Sequence, residues 1–274
     1  MCRRQSLFIF IAIILCALAA GPARPQASAT APFFTAAGVV QAATETGGTL
    51  APNAIATIYG TNLSWTTHIV NVADLNDGTL PTSVDGVSVY VQGILSSLLY
   101  VSPGQINFII PYELTLPTVT VVVARQGLAG PFAANGTPAV QIHLATTAPG
   151  FFEWNGNFAI AEHADGSLIT ADSPAQPNEV IVLYAAGLGR TSPDLSSGAI
   201  PSTALTILYA SQMQILLNTI PCPQTSIYYA GVAPGFAGLY QINVRLPDVL
   251  PPNPQIQVAI GAQMSPQGVL LYAN

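Results

Sequence analysis

The sequence has no lysine and few charged residues of either sign. Asp, Glu, Lys and Arg together make up 7% of the 274 residues, and the formal net charge is −6. Nucleic-acid binding depends on clusters of lysine and arginine that neutralise phosphates, so this composition predicts that nucleic acid is not a partner. The same scarcity argues against electrostatic docking on anionic membranes.

Cysteine is equally scarce, with three residues in the chain. Cys2 and Cys16 lie in the N-terminal export segment described next, so Cys222 alone remains and no intramolecular disulfide can form. Cys222 stands between two prolines and has no sequence neighbour that would lower the pKa of its thiol. We expect an inert loop thiol or a half-buried one; a reactive thiol and a disulfide with another chain are the alternatives.

The long hydrophobic run lies at the N-terminus. Two arginines precede the apolar segment Leu7–Ala20, and small residues follow it, with plausible cleavage after Ala20 or Ala29. A run of about 14 residues is shorter than the roughly 20 that a membrane-spanning helix needs. We therefore predict a cleaved signal peptide over residues 1–29 and an exported protein, periplasmic or extracellular, with no stable membrane span.

Proline and glycine are abundant, at 23 residues each, in a chain that is half hydrophobic. They divide the apolar content into short segments between turns, which predicts an all-β fold. The predicted strands are Ala54–Tyr59, Val84–Gln92, Leu98–Val101, Gln105–Ile110, Thr118–Ala124, Val140–Leu144, Phe158–His163, Leu168–Thr170, Val180–Tyr184, Gln212–Leu217, Ser226–Tyr229, Leu239–Leu246, Gln255–Ile260 and Val269–Tyr272.

A short phrase occurs twice, as Gln105–Pro111 and Gln241–Pro247, each time just after a Pro-Gly turn. The copies are about 136 residues apart, which is the length of a domain. Ala51–Leu63 parallels Gln176–Leu188 in the same way, with a Pro-Asn turn, a strand and a tyrosine. The repeats predict two related domains, 30–147 and 148–274.

Alternation within the phrase indicates two-sheet sandwiches. In the later copy one face carries Tyr240, Ile242, Val244 and Leu246, and the other carries Gln241, Asn243 and Arg245. In the earlier copy Ile106, Phe108 and Ile110 are expected inside, with Gln105 and Asn107 on a wetter outer face.

Val180–Gly189 and Tyr229–Pro247 resemble the Solibacter-type uncharacterised C-terminal domain of exported bacterial proteins. Leu50–Leu63 resembles the opening of IPT/TIG-type immunoglobulin-like folds. The resemblance implies two tandem immunoglobulin-like β-sandwich domains outside the cytoplasm, and it supplies no catalytic residues. The chain departs from the family at Asn218–Pro223, where a shorter hairpin with glycine is usual.

Candidates for catalysis are few. His68, His143 and His163 lack the setting of a hydrolytic triad, since no Gly-x-Ser-x-Gly elbow is present, and their spacing makes no His-Glu-x-x-His zinc pair. We therefore predict that the protein is not an enzyme and has neither a catalytic metal nor a cofactor.

Two further motifs can be interpreted either as ordinary surface structure or as functional sites. Asp74, Asp77 and Asp85 faintly resemble a calcium loop, but the glycine is one place early, which favours an acidic Asx turn. Asn62 and Asn135 satisfy the glycosylation acceptor pattern, which matters only in a suitable secretory host.

The repeated amides are the candidate site. Gln105, Asn107, Gln241 and Asn243 either satisfy backbone groups of the Pro-Gly loops or form a ligand surface. In the second reading Tyr228, Tyr229 and Tyr240 provide aromatic platforms. Uncharged glycans suit such a surface, because amides bond sugar hydroxyls and rings cover apolar sugar faces.

These observations favour an exported, non-catalytic interaction or structural module of the bacterial cell envelope or extracellular space, whose partner is an unknown protein or polysaccharide. The alternative is a carbohydrate-binding or carbohydrate-processing accessory protein, whose carboxylates would come from one acidic stretch. That stretch contains Glu153, Glu162, Asp165, Asp172 and Glu179. A third possibility is a module that directs or caps a larger assembly.

Overall fold

A computed structural model describes residues 31–126 and 137–274. The predicted signal peptide and the acceptor Asn135 lie outside these ranges. Within them the regular structure consists of 23 short strands and three 3₁₀ turns, with no α-helix, so the all-β prediction is confirmed. No helix in this part of the chain is long and apolar enough to cross a membrane.

The strands and 3₁₀ turns follow one another closely. The strands are β1 Phe33–Gln41, β2 Thr49–Leu50, β3 Ile55–Thr61, β4 His68–Ile69, β5 Val87–Val91, β6 Ile94–Leu95, β7 Leu98–Val101, β8 Gln105–Ile109, β9 Thr118–Arg125, β10 Val140–Leu144, β11 Gly150–Phe151, β12 Glu153–Trp154, β13 Phe158–Ala159, β14 Ala161–His163, β15 Val180–Ala186, β16 Thr191–Ser192, β17 Thr206–Ile207, β18 Met213–Leu217, β19 Ile220–Pro221, β20 Ile227–Val232, β21 Tyr240–Arg245, β22 Ile256–Ile260 and β23 Gln263–Met264. The 3₁₀ turns are Val72–Asp74, Ala210–Gln212 and Gln224–Ser226.

Strands β1–β10 form the first sandwich. One sheet has the order β1-β3-β8-β7-β4, and the other has the order β2-β10-β9-β5-β6, with β2 parallel to β10. This is the immunoglobulin-like arrangement: β1, β3, β8 and β7 correspond to strands A, B, E and D of one sheet, with β4 added beside β7, and β2, β10, β9, β5 and β6 correspond to A′, G, F, C and C′ of the other. Ile58, Phe108, Val89 and Val121 are among the side chains that fill the core between the sheets.

Strands β11–β23 form the second sandwich with the same plan. Its larger sheet runs β11-β15-β21-β20-β17-β16, with β14 also paired to β15, and its smaller sheet runs β19-β18-β22-β23. Among the strands of the described residues, the short β12 and β13 pair only with each other. A separate core contains Phe151, Leu183, Ile215, Ile242 and Val258. The chain is therefore an all-β protein of two immunoglobulin-like sandwiches.

The two sandwiches share a strand register as well as a strand order. Tyr59 pairs with Gln105 where β3 meets β8. At the equivalent place in the second sandwich, Tyr184 pairs with Gln241. The next pairing is interrupted by a β-bulge in both sandwiches, between β7 and β8 and between β20 and β21. A shared register and a shared bulge are what duplication of one ancestral unit produces.

The two sandwiches pack against each other. Every pairing between named strands joins strands of one sandwich, and among the described residues the isolated bridge between Thr79 and Ala199 links the two. A third apolar cluster, here called the junction cluster, contains residues of both. Its buried members are Ala42, Ala43 and Ile55 from the first sandwich and Phe152, Ile160, Tyr184, Ala186, Ala233 and Leu239 from the second.

The prediction that Gln105 and Asn107 lie on a wetter outer face of the first sandwich is wrong. Gln105 and Asn107 do lie on the face opposite Ile106 and Phe108, but they are only 3% and 1% exposed. The outer face of this sheet meets the second sandwich, whose Gly238 lies against Ile55 and Ile109 of that face. Packing between the sandwiches therefore removes this face from water.

The observed strands differ from the predicted ones in several places, of which three are informative. The nine-residue β1 was not predicted, because its Thr-Ala-Ala-Gly centre (35–38) has no apolar alternation. Leu168–Thr170 and Val269–Tyr272 were predicted as strands, but they form only isolated bridges, at Leu168 and Leu270.

Candidate functional site

The predicted site residues fall into three settings. Gln105 and Asn107 are buried, Gln241 and Asn243 are partly exposed, and Tyr228 is 57% exposed. The Tyr229 hydroxyl donates to the Val232 backbone carbonyl over 2.7 Å and also lies 3.2 Å from the Leu205 carbonyl oxygen. Tyr240, which was expected as an aromatic platform, is fully buried, and its hydroxyl donates to the Gly189 carbonyl. The structure therefore does not unite these residues on one surface.

The first amide pair is structural. The Gln105 side-chain N–H donates to Asn107 Oδ1 over 2.9 Å, and the Thr57 hydroxyl donates to the same oxygen over 3.1 Å. The Ser102 hydroxyl accepts from the Gln105 backbone N–H and so closes the Pro-Gly turn. Buried polar groups are stable mainly when they are hydrogen-bonded, and this network satisfies these Gln105 N–H groups and Asn107 Oδ1 inside the protein.

The second amide pair makes the same internal bond in a different environment. Gln241 Nε2 donates to Asn243 Oδ1 over 2.7 Å. Here Val182 stands where the first copy has Thr57, so no hydroxyl donates to the asparagine oxygen from that position. Both amides are partly exposed, and Gln241 lines a groove.

The groove, with a volume of about 340 Å³, lies on the outer face of the larger sheet of the second sandwich. One wall is the hairpin that begins with β14, residues 161–168, here called the β14 hairpin. The other wall is the Ala233–Phe236 loop, which leads into β21. Its lining comprises Glu162, His163, Ala164, Asp165, Gly166, Val182, Tyr184, Ala233, Pro234, Phe236 and Gln241. Polar and apolar groups therefore meet in one concave surface, which is the usual character of a ligand site.

Glu162 is one of the carboxyl groups that line the groove. The Tyr184 hydroxyl donates to Glu162 Oε2 over 2.9 Å. Burial raises the pKa of Glu162 and the charge of Asp165 raises it further, whereas the Tyr184 hydrogen bond lowers it; the net shift is upward. In the first sandwich the Tyr59 hydroxyl also donates to a glutamate, Glu45, which lies in the turn after β1 and not on a strand paired with the tyrosine's strand.

His163 is held in place by its neighbours. Its Nδ1 lies 2.5 Å from Glu179 Oε1, and its Nε2 lies 3.1 Å from the Ser173 carbonyl oxygen. Burial alone would lower the pKa of His163, but the bonds to Glu179 and Ser173 raise it overall. Glu179 also accepts from the Gln176 backbone N–H, so this carboxylate closes the Pro-Asn turn before β15.

His68, on β4 of the first sandwich, is also bonded to carboxylates. Its Nε2 lies 3.1 Å from Asp74 Oδ2, and its Nδ1 lies 3.3 Å from Asp85 Oδ1. Asp74 also accepts from the Asn71 backbone N–H and caps a 3₁₀ turn. Two carboxylates of the suspected calcium loop are thus bonded to an imidazole.

We expect a pH dependence of stability from His68. The hydrogen bond to Asp74 is the largest cause that raises the pKa of His68, and the bond to Asp85 adds to it. A raised folded-state pKa means that the stabilisation is complete below the unfolded value of about 6.5 and is lost as pH rises through the folded value. Urea unfolding from pH 5 to 9 should therefore show falling stability, with a shallower fall in His68→Gln.

The control for this series is His143→Gln, which changes an exposed histidine on β10. It should follow the wild-type profile. A residual slope in His68→Gln is expected from His163, whose pKa is also raised. Equal slopes in His68→Gln and wild type would contradict the assignment.

The remaining candidate groups are in structural settings. Cys222 is buried in the core of the second sandwich, and burial raises the pKa of its thiol. The departing segment Asn218–Pro223 begins with a tight hairpin, in which Asn218 and Thr219 have positive φ angles. In ranges 31–126 and 137–274, no three His, Cys, Asp or Glu side chains are grouped to hold a metal ion.

The solved structures to which the chain is similar include two of the extracellular region of plexin A4. The structure of domains 1 to 8 aligns at 11% identity and a TM-score of 0.27, over 83% of this chain and 17% of that one. The structure of domains 1 to 10 aligns at 10% identity with the same TM-score, over 83% and 15%. The chain thus spans less than a fifth of either. No protein-family model and no curated protein matches it.

Proposed function

We propose that the chain is an exported, non-catalytic interaction or structural module of the bacterial cell envelope or extracellular space. Its two domains are residues 30–147 and 148–274, behind a signal peptide over residues 1–29. The export signal and the resemblance to the Solibacter-type family support this address, and the partner is a protein or polysaccharide of the cell surface.

The main support for this proposal is that the potentially reactive side chains make contacts within the protein. His68 is bonded to two aspartates, His163 to Glu179 and Ser173, and Cys222 lies in a core. A catalytic triad also bonds its imidazole to a carboxylate, and it keeps the other ring nitrogen on a nucleophile. In His68 the other nitrogen is bonded to a second aspartate, and in His163 it lies 3.1 Å from the Ser173 carbonyl oxygen and 3.2 Å from the Ser173 hydroxyl. These residues stabilise loops and cores, which suits a scaffold that presents surfaces.

A carbohydrate-processing accessory is the second candidate, because Glu162 and Asp165 line the same groove. Hydrolysis needs two carboxyl groups facing each other about 5–9.5 Å apart across the bond to be cleaved. In this groove Glu162 accepts from Tyr184, and Asp165 accepts from the Ser167 backbone and hydroxyl, which favours binding over cleavage.

The proposed function is tested by incubating the mature protein with purified cell-wall polysaccharide and outer-membrane fractions and measuring co-sedimentation. We expect saturable binding to one fraction with no release of new reducing ends. Reducing ends that appear with wild type and vanish with Glu162→Gln would instead establish a processing enzyme. No binding to any fraction, together with co-purification in a stoichiometric complex, would indicate a module of a larger assembly.

A further inference from the structure

We propose that the groove between the β14 hairpin and the Ala233–Phe236 loop is the binding site, and that its ligand is a neutral carbohydrate. This inference rests on the proposed function, because it names the ligand class of an interaction module. It assigns the site to the second sandwich alone, although both sandwiches retain the amide pair.

The difference between the two copies is the first argument. In the first sandwich the Gln105–Asn107 pair is buried and takes an extra bond from Thr57. In the second, Gln241 and Asn243 are partly exposed and bond to each other through one N–H and one oxygen. An amide side chain has further donor and acceptor capacity, so the second pair can bond a ligand without losing its own contact.

The groove combines hydrogen-bonding groups with an aromatic face. Gln241 and the carboxyl groups of Glu162 and Asp165 supply acceptors and donors for sugar hydroxyls. Phe236 and Pro234 supply apolar surface on the opposite wall. Sugars present hydroxyls at their edges and C–H groups on their faces, and this groove offers a partner for each.

The walls are held in position before a ligand arrives. The β14 hairpin is closed by bonds from Ser167 to Asp165 Oδ1, at 2.8 and 2.6 Å, and is tied to the following loop by His163 and Glu179. The opposite wall is fixed because Ala233 and Phe236 pack in the junction cluster. A preformed site loses less conformational entropy on binding than a mobile one.

The charges in the groove favour a neutral ligand. Among the described residues His163 is the only basic group that lines it, and both ring nitrogens already contact Glu179 or Ser173, so an anionic ligand finds no available cation there. Glu162 accepts from the Tyr184 hydroxyl and is partly buried; burial raises the pKa of its carboxyl, the Tyr184 bond lowers it, and the charge of Asp165 raises it.

The test is calorimetric titration of the mature protein with maltohexaose, cellohexaose and laminarihexaose. Hexagalacturonic acid and hexaglucosamine serve as the anionic and cationic counterparts. We expect one neutral hexaose to bind with a stoichiometry of one. Gln241→Ala and Phe236→Ala should each weaken that binding about tenfold, because each removes one hydrogen-bonding or stacking partner.

The matched control is Gln141→Ala, which removes an exposed amide from β10 of the first sandwich and should leave the affinity unchanged. Binding that Gln241→Ala and Phe236→Ala do not weaken would overturn the site. Preferential binding of hexaglucosamine, lost in Glu162→Gln, would overturn the ligand class. If no oligosaccharide binds while an envelope fraction does, the carbohydrate inference fails and the proposed function stands.

Discussion

Replacing Gly187 with alanine should destabilise the protein by about 3 kcal/mol or more, which combines backbone strain with overpacking. Gly187 has a φ of +73°, in the left-handed region that favours glycine. A Cβ at this position would overlap the backbone carbonyl of Ala148, which cannot rotate away as a flexible side chain could. That carbonyl accepts from Gln41 Nε2 of the first sandwich, so the clash would disturb the junction between the sandwiches.

Gly78→Ala is the matched control. Gly78 has nearly the same φ, +72°, but a Cβ added there would meet no atom within 4 Å beyond its own chain neighbours. Backbone strain alone should cost about 1 kcal/mol at this exposed position. Urea unfolding of the two variants separates the clash from the strain, and equal losses would show that close packing at Gly187 has no role.

The fold was predictable where local pattern and burial agree. Tyr240, Ile242 and Val244 alternate with polar residues, and all three are fully buried in the core of the second sandwich. The prediction was wrong at Gln105 and Asn107, where the same pattern indicated a wetter face. Their burial results from contact between the sandwiches, and strand alternation carries no information about such distant packing.

Strand β1 could not be predicted from the sequence for a different reason. Its centre is rich in small residues, and a Cβ on Gly38 would overlap the Tyr59 carbonyl of β3. The small residue is needed for close approach at the bulge between Phe34 and Val39, not for a hydrophobic pattern. A search for apolar alternation therefore passes over the longest strand in the described part of the chain.

The candidate groove was predictable only in part. Repetition of the phrase singled out Gln241, and the acidic stretch contained Glu162 and Asp165. The bond between Tyr184 and Glu162 depends on the pairing of β14 with β15, which sequence reasoning did not foresee. A signal was present for the tyrosine alone, because Tyr59 and Tyr184 occupy equivalent places in the paired Pro-Asn segments.

Replacing Phe152 with alanine should uncouple the two sandwiches. Phe152 is 1% exposed and belongs to the junction cluster, whereas its neighbour Phe151 is fully buried in the core of the second sandwich. Removing a buried phenylalanine costs about 3–5 kcal/mol in either place. In Phe152→Ala the loss falls on the contact between the sandwiches, so each should then unfold independently of the other.

Native-state hydrogen exchange, read separately for peptides from 31–126 and from 150–274, distinguishes the two variants. Phe151→Ala weakens the second core but leaves the junction intact, so protection in both halves should fall together. Phe152→Ala should give different opening free energies in the two halves, because the junction cluster no longer links them. Equal protection of both halves in Phe152→Ala would mean that the hydrogen bonds at Gln41 and the bridge at Thr79 couple the sandwiches without the apolar cluster.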